Sequence, residues 1–215
     1  PESFFTNLSK VETIKLPTTV FNSIGAEAFA GCSYLKELPV TRANSIGESA
    51  FRNCSSLVEV DIYVANEVGD GIFDNCSNLK KATINKLTDM MFYYCNSLEE
   101  IIFSGVINNI PDRAFQGCSS LKTFDFSSIC DVGEYAFYGT GISYVHLYNK
   151  GNVGYCAFGN LPSNTYVKID SPMNIHYEAF SSAYSQNITQ IGQLSINGGV
   201  TWVNKTYGNC LIYNS

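Results

Sequence analysis

The sequence predicts an α/β repeat solenoid, with a parallel β-sheet along one face and short helical turns along the other. Three observations carry that expectation. Phenylalanine recurs at Phe5, Phe29, Phe51, Phe73, Phe92, Phe115, Phe137, Phe158 and Phe180, in steps of 24, 22, 22, 19, 23, 22, 21 and 22 residues. A fixed period in the twenties is the mark of stacked repeats. Cysteine follows the ladder residue by three at Cys32, Cys54, Cys76, Cys95 and Cys118. Inside each unit the apolar spacing switches from three and four, the helical period, to two, the strand period.

The clearest units are I-G-E-S-A-F-R-N-C-S-S-L-V-E-V-D-I (46–62) and I-P-D-R-A-F-Q-G-C-S-S-L-K-T-F-D-F (110–126). They give the pattern (I/V)-(G/P)-x-x-A-F-x-x-C-x-x-L-x-x-(V/I)-x-(I/F). The A-F-x-x-C-x-x-L part reads as a short helical turn and the L-x-x-V-x-I part as a half-buried strand. Gly25, Gly47, Gly69, Gly133 and Gly154 precede the helical part, where a sharp backbone turn is expected. Units starting at Ile24, Val68 and Leu87 fit, with Ile72 and Met91 in place of Ala. Phe5, Leu8, Val11, Ile14 and Leu16 form an N-terminal half copy. The 19-residue step to Phe92 implies a shortened loop.

The pattern decays toward the C-terminus, where Thr140, Leu161 and Ala183 take the Cys slot. Residues 1–192 are therefore expected to form the solenoid, about eight full or partial repeats after the half copy. Residues 193–215 leave the pattern and read as strand, turn, strand: a small C-terminal β cap or the start of a further module. No unit could bury its Phe alone. Each ladder Phe should contribute about 1.5–3 kcal/mol by burial.

Composition narrows the function classes. Net charge is −6 and the 13 basic residues are scattered, which excludes nucleic acid and anionic membrane surfaces as expected partners. No apolar run approaches the roughly 20 residues of a membrane span. The chain starts at Pro1 rather than Met and is expected to be a trimmed piece of a longer precursor. An even cysteine count can signal disulfides. Five of the eight cysteines belong to the repeat, however, which favours a column of buried thiols acting as small hydrophobes.

The repeated I-G-x-x-A-F-x-x-C-x-x-L-x-x-V-x-I units resemble the BspA-like leucine-rich repeats of bacterial surface antigens. The resemblance spans about residues 4–169, weakens to about 192 and stops there. It implies a right-handed leucine-rich-repeat solenoid, secretion or surface display, and adhesion to host or other-cell proteins. It carries no catalytic residues.

The candidate ligand surface comes from strand alternation, which points the residues flanking the Val slot outward. One column runs Thr13, Glu37, Glu59, Lys81, Glu100, Thr123, Tyr144, Tyr166; the other Lys15, Pro39, Asp61, Thr83, Ile102, Asp125, His146, Lys168. Two groups emerge: an acidic one (Glu37, Glu59, Asp61, Glu100, Asp125) and a mixed one (Tyr144, His146, Tyr166, Lys168). Solvated strand faces are the simpler reading of both.

Signs of chemistry are few. Two histidines, no C-x-x-C pair, no nucleotide fingerprint and no G-x-S-x-G elbow leave no expected catalytic residue, cofactor or metal. The expected function is non-catalytic binding of an extracellular or cell-surface protein. The alternative is a carbohydrate-binding module using Tyr63, Tyr93, Tyr94, Tyr148 and Tyr155 as exposed platforms.

Overall fold

The computed structural model describes residues 5–14, 23–162, 165–171, 173–176 and 178–180, and the backbone of strands Leu194–Ile196 and Gly199–Thr201. It is a parallel-strand solenoid whose coils carry two ladders. The V-x-I slots build the broader one. Within it, β4 (Glu59–Val64), β5 (Lys81–Ile84) and β6 (Glu100–Phe103) pair in parallel, and β2 (Arg42–Ala43) joins at Tyr63. The same slot continues in β9 (Tyr144–Leu147) and β11 (Tyr166–Ile169).

The (I/V)-G slots build the narrower ladder. It holds β1 (Ser23–Ile24) beside β3 (Ser45–Ile46), with a bridge from Ile46 to Val68. It then resumes through β7 (Asn109–Ile110), β8 (Asp131–Val132), β10 (Asn152–Val153) and β12 (Asn174–Ile175). Leu194–Ile196 (β13) extends the broad ladder from Ile169 and pairs antiparallel with Gly199–Thr201 (β14). The rest of the expected cap lies outside the described residues.

The expected helical turns are not helices: the described residues contain none. The A-F-x-x-C-x-x-L stretch is a tandem series of β-turns. Around Phe29 the i+3 bonds are Ala28 N–H to Gly25 O (3.3 Å), Ala30 N–H to Glu27 O (3.0 Å), Cys32 N–H to Phe29 O (3.1 Å) and Leu35 N–H to Cys32 O (3.0 Å). The intervening amides point to the next coil: Glu27 N–H to Glu48 O, Phe29 N–H to Ala50 O, Gly31 N–H to Arg52 O. A helix needs those amides for its own i−4 carbonyls, so the coil-to-coil ladder and a helix exclude each other.

Two left-handed residues per coil enforce this geometry. One stands two before the ladder Phe, as Glu27, Ser49, Gly71, Met90, Arg113, Tyr135 and Cys156. The other stands two after it, as Gly31, Asn53, Asn75, Tyr94, Gly117, Gly139 and Asn160. The second set is mostly Gly and Asn, the residues a type II turn requires at its third position.

The core is a stack of Phe rings. Consecutive ladder rings from Phe5 to Phe180 lie 5.1, 5.1, 5.7, 5.7, 5.7, 5.3, 5.4 and 5.2 Å apart, with interplanar angles of 15° or less. That rise is close to the roughly 4.8 Å between paired strands, so the strand ladders and the ring stack keep one pitch.

The cysteine column does more than fill space. Each thiol donates to the carbonyl of the Phe one coil back: Cys32 to Phe5, Cys54 to Phe29, Cys76 to Phe51, Cys95 to Phe73 and Cys118 to Phe92, all at 3.1–3.2 Å. Where Thr140 replaces Cys, its hydroxyl donates instead to Phe137 O of its own coil at 3.0 Å. Among the described residues the cysteines at 32, 54, 76, 95, 118, 130 and 156 form no disulfide.

Burial pushes the Cys54 thiol up to about 12, and pushes Cys76, Cys95 and Cys118 above the ordinary thiol range. Alkylation needs the thiolate. At pH 8 the native chain should therefore react with iodoacetamide at half-buried Cys130 and spare the column, with Cys54 about a thousandfold slower than in urea. Equal labelling of Cys54 and Cys130 in the native state would contradict the packing.

Two irregularities shape the broad face. The backbone pairing of β4 with β5 ends at Ile62 and Ile84, two residues short of Val64. The Asn85 side chain fills the gap, its Oδ1 accepting Val64 N–H and its Nδ2 donating to Val64 O, both at 2.8 Å. The second is a break after β6, where coil 121–126 contributes no strand. There the Val and Ile slots hold Phe124 and Phe126. Phe124 packs edge-on against Phe115 (5.6 Å) and Phe137 (4.9 Å), and Phe126 against Phe137 (5.3 Å). Phe103 fills the Ile slot of β6 and still pairs with Ile84, so the ring that sets this coil apart is Phe124, in the slot that holds Val60, Ala82 and Ile101 in β4, β5 and β6.

Candidate interaction surface

The structure divides the predicted surface residues unequally. The β4–β5–β6 register sets Glu59 beside Lys81 beside Glu100, and Asp61 beside Thr83 beside Ile102. Lys81 thus interrupts the acidic group, and its Nζ pairs with Glu100 at 3.0 Å. Glu37 is exposed but lies on the irregular stretch 33–41, outside both ladders. Asp125 lies on the strandless coil. Its Oδ1 accepts Ser127 N–H at 2.9 Å, which holds the carboxyl below the usual carboxylate range. The five carboxylates therefore do not form one patch.

The mixed group does come together. Parallel pairing of β9 and β11 aligns Tyr144 with Tyr166 and His146 with Lys168. The two Tyr rings stack at 5.6 Å and 4°, and both are exposed, Tyr144 at 51% and Tyr166 at 36%. His146 lies edge-on to Tyr144 and close against the ring of Tyr148, 3.6 Å between centroids. On its other side, His146 Nε2 donates to Asp170 Oδ2 at 2.6 Å, and Lys168 Nζ reaches Asp170 Oδ1 at 3.1 Å. The hydrogen bond from His146, then the Lys168 ammonium, holds the Asp170 carboxyl below its ordinary range. In turn Asp170 raises Lys168. The result is a flat aromatic surface with a locked cation–carboxylate rim, rigid because β9 and β11 share four paired positions.

Asp170 was not anticipated from the sequence. Its signal is the period of two carried one step past the Ile slot: 144, 146, 148 on one strand and 166, 168, 170 on the next. Of the tyrosines expected to be exposed, Tyr63, Tyr94 and Tyr148 are. Tyr93 and Tyr155 are half-buried, packed edge-on against Tyr94 (4.5 Å) and Tyr135 (5.2 Å). The contact of Tyr93 with its chain neighbour, and of Tyr155 with a ring of the preceding coil, accounts for this correction.

A second acidic feature, on the narrow-ladder side, was also not anticipated. The residue two after each I/V-slot apolar is Glu48, Asp70, Asp89, Asp112 and Glu134 in successive coils. A cleft of about 830 Å³ includes the last three of these. Burial, and then the charges of Asp70 and Asp112, hold the Asp89 carboxyl above its usual range. These carboxylates serve the stacking: Asp89 Oδ1 accepts Asp112 N–H (3.0 Å) and Asp112 Oδ1 accepts Glu134 N–H (2.7 Å). Among the described residues no cluster of His, Cys, Asp or Glu is arranged to hold a metal ion. No helix among them is long and apolar enough to cross a membrane.

Comparison with known proteins agrees with the repeat. The family model described as BspA type leucine rich repeat region, in six copies, matches residues 1–90 and 85–200. A search of curated proteins found no match. Among solved structures, the crystal structure of a leucine rich cell surface protein from Faecalibacterium prausnitzii A2-165 is similar. The two share 23% identity with a TM-score of 0.53, over 74% of this chain and 46% of that one. This chain therefore spans under half the length of that protein, and the likeness is one of fold.

Proposed function

The chain belongs to the BspA-type leucine-rich repeat family, and from that premise we propose that it is a non-catalytic, surface-displayed binding module. It engages an extracellular or cell-surface protein through the β9–β11 end of its broad face. Surface display is supported by the likeness to the Faecalibacterium protein, a leucine rich cell surface protein. The observation that carries the binding reading is the preorganised group of exposed Tyr144 and Tyr166 with half-buried His146 and Lys168, which Tyr148 and Asp170 complete. Tyr is favoured at protein interfaces because it buries large area with little conformational freedom to lose.

The same aromatic surface supports a second reading, stacking on a sugar ring. One experiment separates the two. The wild-type chain and the Tyr144→Ala/His146→Ala double variant are compared on a panel of immobilised extracellular-matrix proteins and on a glycan array. Protein binding that falls about tenfold or more in the variant, with a silent array, is expected. Glycan hits that vanish in the variant would favour the sugar. Unchanged binding would remove the patch.

A further inference from the structure

We propose that the break after β6 is a docking slot in which an extended basic-and-apolar segment of a partner protein adds as a strand to the free edge of β6. β6 ends its ladder, since the next coil supplies no strand. In a parallel pair, alternate residues turn both amide and carbonyl to the same neighbour. Ser104 N–H bonds Ile84 O and Glu100 N–H bonds Lys80 O, so the even-numbered residues face β5. Ile101 and Phe103 therefore present their amides and carbonyls to the break. Among the described residues no backbone hydrogen bond joins them to coil 121–126.

The space beside this edge is a cleft of about 810 Å³ that takes in all of β6 and the Thr123–Asp125 stretch. Its chemistry selects the occupant. Three carboxylates line it, Glu99, Glu100 and Asp125, and no basic side chain does. Lys81 pairs with Glu100 from outside the cleft, which leaves Glu99 and Asp125 for incoming cations. Two apolar side chains stand open at its mouth, Ile102 at 38% and Val106 at 85% exposure. A free row of amides and carbonyls at a two-residue repeat is matched by backbone in β conformation and by nothing compact. The side chains of such a strand alternate, so its lysine or arginine residues face outward beside Glu100, Ile102 and Asp125 while its aliphatic residues face inward against Ile101 and Phe103. The slot is separate from the β9–β11 surface, and neither requires the other.

The test uses the full chain and a fluorescent six-residue peptide of alternating lysine and valine. Its comparators are the same peptide with alternate backbone nitrogens methylated, and a glutamate–valine version. Fluorescence anisotropy reads binding, and amide hydrogen exchange reads Ile101 and Phe103. The expected result is binding of the lysine–valine peptide, with those two amides slowed about tenfold or more. Backbone methylation and the Ile102→Lys variant should each weaken it about tenfold. The Tyr144→Ala/His146→Ala variant should bind the peptide as wild type does, so this proposal and the aromatic-surface reading fail separately. The proposal is overturned by no binding up to about millimolar peptide, by equal binding of the methylated peptide, or by binding that leaves both amides unprotected. Self-association of the free chain that protects the same amides would also overturn it, assigning the edge to a second copy.

Discussion

Replacing Phe92 with alanine is expected to lower the free energy of unfolding by about 4 kcal/mol, read by urea denaturation followed by circular dichroism. The ring is fully buried and stacks on Phe73 and Phe115 at 5.7 Å on each side. Truncation removes the transfer energy of the ring and leaves a void that the coil pitch cannot close, because the strand ladder holds neighbouring coils near 5 Å apart. The coils are coupled mainly to their neighbours, so a void at the middle weakens the link between two halves. The variant should therefore also broaden the transition. Phe92→Leu, which fills most of the space, should recover more than half of the loss. Phe5→Ala removes a half-buried ring at the end of the described stack and should cost far less. A loss below about 1 kcal/mol for Phe92→Ala would mean that the stack is not what holds the coils in register.

The buried half of the fold was legible because it repeats. Phe, Cys and Leu slots are positions where one coil must match the next, and a column that must match writes a period into the sequence. The outward alternation at Glu59, Asp61, Tyr144 and His146 was legible for the same reason. The turn region was misread because apolar spacings of three and four suit tandem turns as well as a helix. What separates them is where Phe29 N–H goes, and that depends on a neighbouring coil rather than on local spacing. Asn53, Asn75 and Asn160, two residues after the ladder Phe, carried the correct signal. The cysteines were read as fillers, yet the S–H bond from Cys76 to Phe51 O links residues of two coils and leaves no local trace. The break at Phe124 was present as a ring in the slot that holds Val60 and Ile101 in other coils. Its consequence depends on how much space the sheet allows, which a pattern does not state. Asp170 was missed because the alternation was stopped at the Ile slot. Exposed side chains such as Tyr144 and Tyr166 face solvent, so no packing rule constrains them, and their grouping became visible only through the β9–β11 register.

Gly69→Ala is expected to cost about 3 kcal/mol, more than Gly71→Ala two residues on. The two glycines separate two roles that a sequence does not distinguish. Gly71 has φ +61°, but a Cβ there would meet only Ser49 Oγ at 3.5 Å and Asp74 Cβ at 3.8 Å. Alanine at that site pays a left-handed backbone penalty of about 1–2 kcal/mol and no clash. Gly69 has an ordinary φ, so its conformation suits alanine. The obstacle is space: a Cβ would stand 2.3 Å from Glu48 N and 2.7 Å from Glu48 Cα and Gly47 C. Those atoms are backbone, and no side-chain rotation relieves them. The coils would have to part where Gly69 N–H bonds Ile46 O at 2.7 Å and Ile46 N–H bonds Glu67 O at 3.0 Å. Thr88 fills the same slot one coil on, after the shortened loop, and its Oγ1 donates to Gly69 O at 2.8 Å. Pro111 and His176 fill the same slot in later coils, so the obstacle at Gly69 is set by its own neighbours, the Gly47–Glu48 backbone. Parallel thermal melts of the two variants decide the matter. The reading of these glycines as turn residues orders the losses with Gly71→Ala larger, whereas close approach of adjacent coils orders them with Gly69→Ala larger.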